Sequence, residues 1–291
     1  MNKPPHFNDV TRRAFETARA ILRKRFEDVP LHKRMPYHSN GHTLGVVTRA
    51  MKIADVLRLP ERERTLVFVA SVFHDTVQEF EVREHEDGYT TRVRFSGMNE
   101  LMSAMDAVSF MQNDPYAFDA YEEAVVSHAI IGTTAFWSDY DSTVIQPLVN
   151  EKSTIVSRVL ALADLGEAGM DAESFVASGY SLFAEEYIGI VEQALGAQHA
   201  FDIPLSKSNL YRDLLIIWLS RQPAFAKGRK VLLSKELAGL GAARWAIKRQ
   251  LFNQFDASIE GAQKVLEDAR KQDFKTLMRR LHPDAFPGME K

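Results

Sequence analysis

Apolar side chains recur every three or four residues along most of this chain, which is the spacing that aligns them on one face of an α-helix. The first such stretch covers residues 8–29, and Pro30 ends it. The same spacing predicts helices, in chain order, over residues 40–57, 61–79, 99–111, 116–131, 154–166, 174–195, 208–221 and 242–281, the last of them broken. Residues 223–230, which contain Pro223 and Gly228, are predicted to be a connection. The pattern therefore predicts an all-α fold.

Two stretches depart from the helical pattern. In residues 80–95, β-forming residues alternate with charged ones on both sides of Asp87-Gly88, a dipeptide typical of hairpin turns. We therefore predict a small β-hairpin at about 80–95. Residues 132–149 contain Trp137 and are predicted to be a long loop, either a lid over a substrate site or a segment packed on the surface.

Composition narrows the classes of protein to consider. The chain has 291 residues, 45% of them hydrophobic and 26% charged, as in ordinary globular proteins. The absence of cysteine excludes disulfides, thiolate nucleophiles and cysteine-ligated zinc. A net charge of −3 shows no basic excess, so we expect no binding to double-stranded nucleic acid. No signal peptide and no membrane-spanning run is visible, so we expect no membrane partner and a cytoplasmic location.

Residues 66–79 combine a strongly apolar run with two groups that are costly to bury. The run ends in His74 and Asp75. A buried carboxylate requires a hydrogen-bonding partner, an opposite charge or a metal ion. The pair is therefore a candidate metal-binding or catalytic element, and a salt-bridged core is the structural alternative.

Other candidate ligands lie near the ends of predicted helices. His38 and His42 stand four residues apart at a helix start, and Asp164 closes another apolar helix. His128 follows two valines on a further helix. Each residue taken singly has a structural explanation, as part of a capping loop or as a hydrogen-bonded core residue. From residue 171 onward the chain is predicted to be helical and chemically quieter.

The order of these residues resembles a known family. His42, then His74-Asp75, then Asp164 is similar to the pattern of the HD superfamily of metal-dependent phosphohydrolases, as are the local motifs YHSNGHT at 37–43, VFHD at 72–75 and ALADLG at 161–166. The similarity is closer to the predicted HD hydrolases of unassigned substrate. That branch carries segments similar to Asn99-Glu100 with Ser103-Ala104, to residues 183–187 and to residues 225–229.

The resemblance implies an architecture and a metal site. The architecture is an HD-domain helical bundle with extra C-terminal helices, divided into a catalytic domain at 1–200 and a packed helical extension at 201–291, with a single domain as the alternative. The implied metal ligands are His42, His74, Asp75 and Asp164. Such ligands suit Mn, Fe, Ni, Co or Zn, and Mg less well. One or two ions are implied, with Asp75 bridging where two bind.

The resemblance also assigns catalytic roles, with two departures. His38 holds the spacing of the residue that protonates the leaving oxygen in cyclic-nucleotide phosphodiesterases, and Asp75 is the second catalytic residue. Those enzymes have a histidine where this chain has Gln78. Alarmone hydrolases of the superfamily have Glu-Asp at the positions of Gln78-Glu79, where only Glu79 is acidic here.

Five further residues are candidates to contact the substrate or to support the ligands: His128, Glu79, Arg83, Arg92 and Asn99. The two arginines lie in the predicted hairpin, where a charged surface is the alternative interpretation. The leading hypothesis is metal-dependent hydrolysis of a small-molecule phosphate ester, most consistent with a nucleotide. The alternative is a catalytically silent HD scaffold that binds a nucleotide or a metal.

Overall fold

Most of the described chain is helical, in a computed structural model that describes residues 7–196 and 203–278. The helices are α1 (Phe7–Leu22), α2 (Asn40–Leu57), α3 (Glu61–Phe73), α4 (Met98–Asn113), α5 (Ala120–Gly132), α6 (Ile155–Asp164), α7 (Glu167–Met170), α8 (Ala172–Glu186), α9 (Ile188–Gly196), α10 (Leu205–Glu236), α11 (Ala243–Gln250), α12 (Phe255–Arg270) and α13 (Phe274–Met278). The strands are β1 (Phe80–Glu84), β2 (Thr90–Arg94), β3 (Phe136–Ser138) and β4 (Thr143–Ile145). The predicted all-α fold is confirmed.

The strands form two separate antiparallel hairpins. In the first, Phe80 lies opposite Arg94 and Glu84 opposite Thr90, which confirms the predicted hairpin at 80–95. The second pairs β3 with β4 inside the stretch that was predicted to be a loop. Thr143 of β4 donates a hydrogen bond to the Phe225 carbonyl of α10 at 3.0 Å. This second hairpin is therefore fixed against a helix.

Helices α2, α3, α5 and α6 form the centre of the fold, with α1 packed on α3 and α4 packed on α5. Their facing sides are apolar and buried, including Val46 and Ile53 of α2, Val67 of α3, Val126 of α5 and Leu160 of α6. The start of α2 lies beside the ends of α3 and α6. Three helix termini therefore meet at one end of the bundle.

The helix predicted to run through Glu79 ends at Phe73 instead. Side chains of α4 take the backbone hydrogen bonds that would extend it. Ser103 Oγ accepts the Val77 N–H at 3.0 Å, and Asn99 Oδ1 accepts the Glu79 N–H at 2.9 Å. Asn99 Nδ2 also donates to the Glu79 carbonyl at 2.9 Å. We call these contacts, together with the bond of 2.8 Å from Thr76 Oγ1 to Asp106, the α4 clamp.

Local capping moves the start of another helix. The helix predicted from residue 116 begins at Ala120, because Asp119 accepts the Glu122 N–H at 2.9 Å while the Glu122 carboxylate accepts the Asp119 N–H at 3.0 Å. This reciprocal pair is a capping box, which satisfies two backbone donors at a helix start. The predicted helix over 8–29 also differs, because α1 ends at Leu22 and continues as a π-helical turn, Arg23–Glu27.

The predicted connection at 223–230 is wrong, because Pro223 lies inside α10, a helix of 32 residues. An interior proline costs about 3 kcal/mol or more, since it removes one backbone hydrogen bond and crowds the preceding turn. Burial of Leu219 and Ala226 on either side offsets that cost. Gly228 is explained by packing, because a Cβ there would lie 2.6 Å from the Asp141 carbonyl of the second hairpin.

Helices on both sides of residue 200 share one core. Leu233 of α10 and Phe255 of α12 belong to the same buried cluster as Val46 and Leu160. The division into domains at residue 200 stays a prediction. Within residues 7–196 and 203–278, none of the helices combines the length and apolar character needed to cross a lipid bilayer.

Replacing Asn99 with alanine should destabilise the protein by about 2 kcal/mol, because the variant loses two buried hydrogen bonds and leaves backbone groups of Glu79 unpaired. Asn99 is only 1% exposed. Urea unfolding measures the change. The matched control is Asn113→Ala on the same helix, whose exposed amide donates to the Ser109 carbonyl at 2.7 Å. We expect the control to change stability by less than about 0.5 kcal/mol. Equal effects in the two variants would contradict the structural role of the clamp.

Candidate metal centre

Four side chains converge where the three helix termini meet. His42 lies in the first turn of α2, His74 and Asp75 follow α3, and Asp164 is the last residue of α6. The two histidine Nε2 atoms are 3.3 Å apart. Asp75 Oδ2 lies 3.3 and 3.0 Å from these nitrogens, and Asp164 Oδ1 lies 3.6 and 3.5 Å from them. The structure thus brings together all four residues that were predicted as ligands.

The spacing of these donor atoms fits a metal ion. A bond of about 2.0–2.1 Å, as between zinc and histidine, places two ligands of a tetrahedral ion roughly 3.3–3.4 Å apart, and neighbouring ligands of an octahedral ion roughly 2.8–3.0 Å apart. The observed separations of 3.0–3.6 Å include the tetrahedral range and reach the upper limit of the octahedral one. A buried cluster of two imidazoles and two carboxylates can therefore hold a metal ion.

The orientation of His74 is fixed by the backbone. Its Nδ1 lies 2.8 Å from the Ser71 carbonyl, which can only accept a hydrogen bond. The Nδ1 position therefore carries the proton, and the Nε2 lone pair faces the cluster, as a metal ligand requires. His42 Nδ1 is buried and makes no hydrogen bond with the described residues, so the bundle packing alone sets this ring.

Two glutamine amides hold the outer oxygens of the carboxylates. Gln78 Nε2 donates to Asp75 Oδ1, and Gln146 Nε2 donates to Asp164 Oδ2, both at 2.8 Å. Each carboxylate therefore has one oxygen bound to an amide and the other directed at the cluster. Gln78 stands where the resemblance to phosphodiesterases implies a histidine, and here it supports a ligand. Gln146 follows β4 and was not singled out from the sequence.

Charge compensation inside the cluster shifts the pKa of every member. Burial lowers the pKa of His74, but Asp75 and Asp164 raise it more, and the result is well above the usual range. The pKa of His42 is raised in the same way. Burial raises the pKa of Asp75, but His74 and His38 lower it more, so that it lies well below the usual range; the pKa of Asp164 is also lowered, by bonds from both ligand histidines. The metal-free cluster therefore retains protons on its imidazoles.

His38 is held beside the cluster by a residue of the C-terminal half. Glu185 of α8 pairs through Oε1 with His38 Nδ1, and its Oε2 accepts the backbone N–H groups of Tyr37 and His38 at 3.0 Å each. His38 Nε2 faces the cluster, 3.8 Å from Asp75 Oδ2. Burial raises the pKa of Glu185, but His38 lowers it more, so this carboxylate stays ionised. The part of the chain beyond residue 171, which was predicted to be chemically quieter, therefore supplies the residue that holds His38.

Three of the other predicted site residues make hydrogen bonds that involve the backbone. Asn99 belongs to the α4 clamp, which fixes the segment carrying Gln78, and Glu79 contributes its backbone to that clamp while its side chain is exposed. Arg92 is buried, and its guanidinium donates to the carbonyls of Arg34 and His32 at 2.7 and 2.8 Å. Burial lowers the pKa of Arg92 to about 10. Arg92 therefore ties the first hairpin to the loop that precedes His38.

The remaining two predicted residues lie outside the cluster. Arg83 is exposed on β1 and pairs with Glu81 at 3.4 Å. His128 is exposed on α5 and makes no hydrogen bond, ion pair or ring contact with any residue that the structure describes. The structure therefore does not bring either side chain to the four ligands.

Arg49 of α2 was also missed. It is 5% exposed, its Nε donates to the Ala163 carbonyl at 2.7 Å, and its Nη1 lies 3.5 Å from Glu167. These contacts hold the end of α6, where Asp164 lies. A charged residue on the apolar face of a predicted helix is the signal that could have identified it.

A cavity of about 600 Å³ opens beside the cluster, lined by residues that include Tyr37, His42, Glu167 and Ser178. Its volume falls in the range of about 300–1,000 Å³ that is usual for small-molecule sites. A small molecule in this cavity can reach His42 directly.

Comparisons with known proteins found no relatives. The chain matches no protein-family model, no curated protein and no solved structure. The assignment of the site therefore depends on the residues and their geometry.

Replacing Gln146 with alanine should weaken metal binding about 10- to 100-fold, because the outer oxygen of Asp164 loses the amide that orients it. Titration against a chelator of known affinity measures the change. The matched control is Gln112→Ala, which removes an equivalent amide bond of 2.9 Å to Glu123 on the surface. We expect the control to bind metal as the wild type does. Equal affinities in the two variants would show that Gln146 does not support a ligand.

Metal binding should release protons and strengthen with pH between about pH 6 and 8, because the ion must displace protons from His42 and His74. The direction of this pH dependence follows from the raised pKa values of the two histidines. The protonated pair stabilises the metal-free fold below the ordinary histidine pKa of about 6.5, and this stability is lost as pH rises through the higher folded-state pKa. The lowered pKa values of the two aspartates keep them ionised throughout this range.

Calorimetric titration in two buffers of different ionisation enthalpy measures the released protons. We expect the apparent dissociation constant to fall by up to about tenfold per pH unit for each proton released. Binding enthalpies that are identical in the two buffers at pH 7 would contradict the pKa shifts.

Proposed function

We propose that this chain is a metal-dependent phosphohydrolase of the HD superfamily that cleaves a small-molecule phosphate ester. The observation that carries the proposal is the placement of His38 Nε2 at 3.8 Å from Asp75 Oδ2, at the edge of the four-donor cluster. A metal-binding cluster alone is compatible with a purely structural ion. A buried histidine that is oriented by a carboxylate and directed at that cluster supplies the second element that hydrolysis requires.

The donor set suits Mn, Fe, Ni, Co or Zn better than Mg, because imidazole is a preferred ligand of the first group. His42, His74, Asp75 and Asp164 would hold the ion. When bound, such an ion supplies an activated water and polarises a phosphoryl oxygen. Asp75 is the residue placed to contact a second ion, because it also faces His38. The chain itself keeps the donors aligned through the bonds of His74 to Ser71 and of the two glutamines to the carboxylates.

His38 is the proton donor in this proposal. The ionised Glu185 accepts a hydrogen bond from the Nδ1–H of His38. This bond fixes the ring with Nε2 towards the cluster. A bond forms between the water oxygen and phosphorus, and the bond between phosphorus and the ester oxygen breaks. The proton of His38 Nε2 passes to the leaving oxygen, and the proton given up by the water restores His38. Glu185 stabilises the positively charged ring before transfer, as a paired carboxylate does for imidazolium.

The substrate class rests on the cavity and on the resemblance. The cavity of about 600 Å³ beside His42 has room for a small molecule, and the HD branches similar to this chain support a nucleotide. The alternative function, a silent scaffold, would retain the four ligands but needs no oriented His38. The His38–Glu185 pair is therefore the feature that favours turnover over binding alone.

The test combines a metal-by-substrate activity screen with three variants. Wild-type protein loaded with Mn²⁺ or Ni²⁺ should hydrolyse phosphoesters from a panel of nucleotides, cyclic nucleotides and dinucleotides. The double variant His74→Ala/Asp75→Ala should lose both bound metal and activity. His38→Asn should keep its metal but lower kcat by about 100-fold or more, because general acid catalysis contributes about 10²–10⁴.

The control is His32→Asn, which removes an imidazole that is 57% exposed and whose side chain takes no part in the site. It should retain wild-type rates and metal content. Wild-type rates in the double variant would overturn the site assignment. Stoichiometric metal with no hydrolysis of any ester would favour the silent scaffold.

A further inference from the structure

A second and smaller cavity lies next to the metal cluster. Its volume is about 170 Å³, and Asp164 is part of its wall. Tyr37, Glu167 and Ser178 line both this cavity and the larger one beside His42. The two cavities are therefore neighbours on either side of these three residues, and both adjoin the candidate ligands. A ligand with one group at the cluster can extend another into the smaller cavity, which we call the aromatic pocket.

Five aromatic side chains line the aromatic pocket, among them two tryptophans. Phe175 of α8 and Phe225 of α10 stack with ring centroids 5.7 Å apart and planes at 15°. Trp218 is fixed by its N–H, which donates to the Gly179 carbonyl at 2.8 Å. Trp137, on the second hairpin, is 46% exposed and has no aromatic partner among the described residues. The pocket thus offers a preorganised apolar interior and a half-exposed indole that no other described aromatic ring stacks on.

A cation also lines the same pocket. Arg221 makes no hydrogen bond or close ion pair with any residue in the described ranges, and its charge acts on Glu186, where burial raises the carboxyl pKa and Arg221 opposes that rise. The amide of Gln222 lines the pocket and is likewise free of hydrogen bonds within those ranges. These two side chains supply donors, and Gln222 also supplies an acceptor. An apolar pocket with a few unpaired polar groups is typical of a small-molecule site.

We propose that the aromatic pocket binds the nucleobase of the substrate, stacked on Trp137, while the phosphate lies at the metal cluster. The volume of about 170 Å³ is below the range of about 300–1,000 Å³ for whole drug-sized ligands, so it suits one ring system. The aromatic walls favour a planar ring, and Arg221 and Gln222 can bond to its ring nitrogens and exocyclic groups. This inference rests on the proposed function, because that function places a phosphate ester beside Asp164.

The tryptophans of this chain allow a direct test. It has three tryptophans, of which Trp137 and Trp218 line the pocket and Trp245 lies exposed on α11. In the metal-loaded Trp245→Phe variant, the two remaining indoles both report on the pocket. Adenosine, guanosine, cytidine and uridine are the probes, because they carry a base but no phosphate ester and cannot be turned over. We expect at least one nucleoside to quench the fluorescence saturably, and ribose to have no effect.

Affinity measured by calorimetry then tests the role of Trp137. The variant Trp137→Ala should bind the responsive nucleoside about tenfold more weakly, the scale of one lost base stacking contact. The matched control Trp245→Ala removes another exposed indole, which stacks with Arg244 instead, and it should bind as the wild type does. Absence of binding by all four nucleosides, or equal affinities in the two variants, would overturn the proposal.

Phosphate release from ribose 5-phosphate separates this inference from the proposed function. Hydrolysis of that ester without any nucleoside binding would retain the hydrolase and reject the base pocket. Nucleoside binding that depends on Trp137, with no hydrolysis of any phosphate ester under any metal, would retain the pocket and reject the hydrolase.

Discussion

Burial of two carboxylates beside two imidazoles is the constraint on which the rest of this structure depends. Removing an isolated carboxylate from water costs several kcal/mol even after relaxation, so Asp75 and Asp164 are tolerated only with compensation. His42 and His74 supply it at distances of 3.0–3.6 Å, as protonated partners or as fellow ligands of an ion. The outer carboxylate oxygens need separate partners, and the amides of two glutamines provide them. Both oxygens of each carboxylate are thus satisfied in different ways.

The supports of the cluster come from distant parts of the chain. The α4 clamp binds the backbone of residues 76–79, which therefore do not continue α3. This conformation places Gln78 against Asp75. The second hairpin, fixed to α10 through Thr143, leads directly into Gln146. Arg49 donates a hydrogen bond to the last turn of α6 and so helps to fix the position of Asp164. One support acts on Asp75 and two act on Asp164 or its helix end, so the geometry of the cluster does not depend on any one loop.

The difference between the ligands and their distant supports explains what the sequence could predict. The four ligands were predictable, because each stands near the end of a predicted helix and their order is distinctive. The first hairpin was predictable from Asp87-Gly88. The end of α3 was not, because its competing hydrogen-bond partners lie 20 or more residues further along the chain. The supports Gln146 and Glu185 were missed for the same reason, since a polar residue with a distant partner leaves no local periodic signal. Pro223 led to the opposite error, a predicted break where the helix continues. Tertiary packing outweighs the free-energy cost of a proline inside the helix.

The loop that carries Tyr37 and His38 shows how the two halves of the chain depend on each other. This loop has no regular structure of its own after the turn Leu31–Lys33. Arg92 of the first hairpin binds its carbonyls, and Glu185 of α8 binds its N–H groups together with the ring of His38. His38 in turn faces Asp75, so any change in the charge of the cluster acts on the His38–Glu185 pair. Glu185 of α8 is thus joined to the cluster through His38, and helices beyond residue 171 form part of the site as well as of the scaffold.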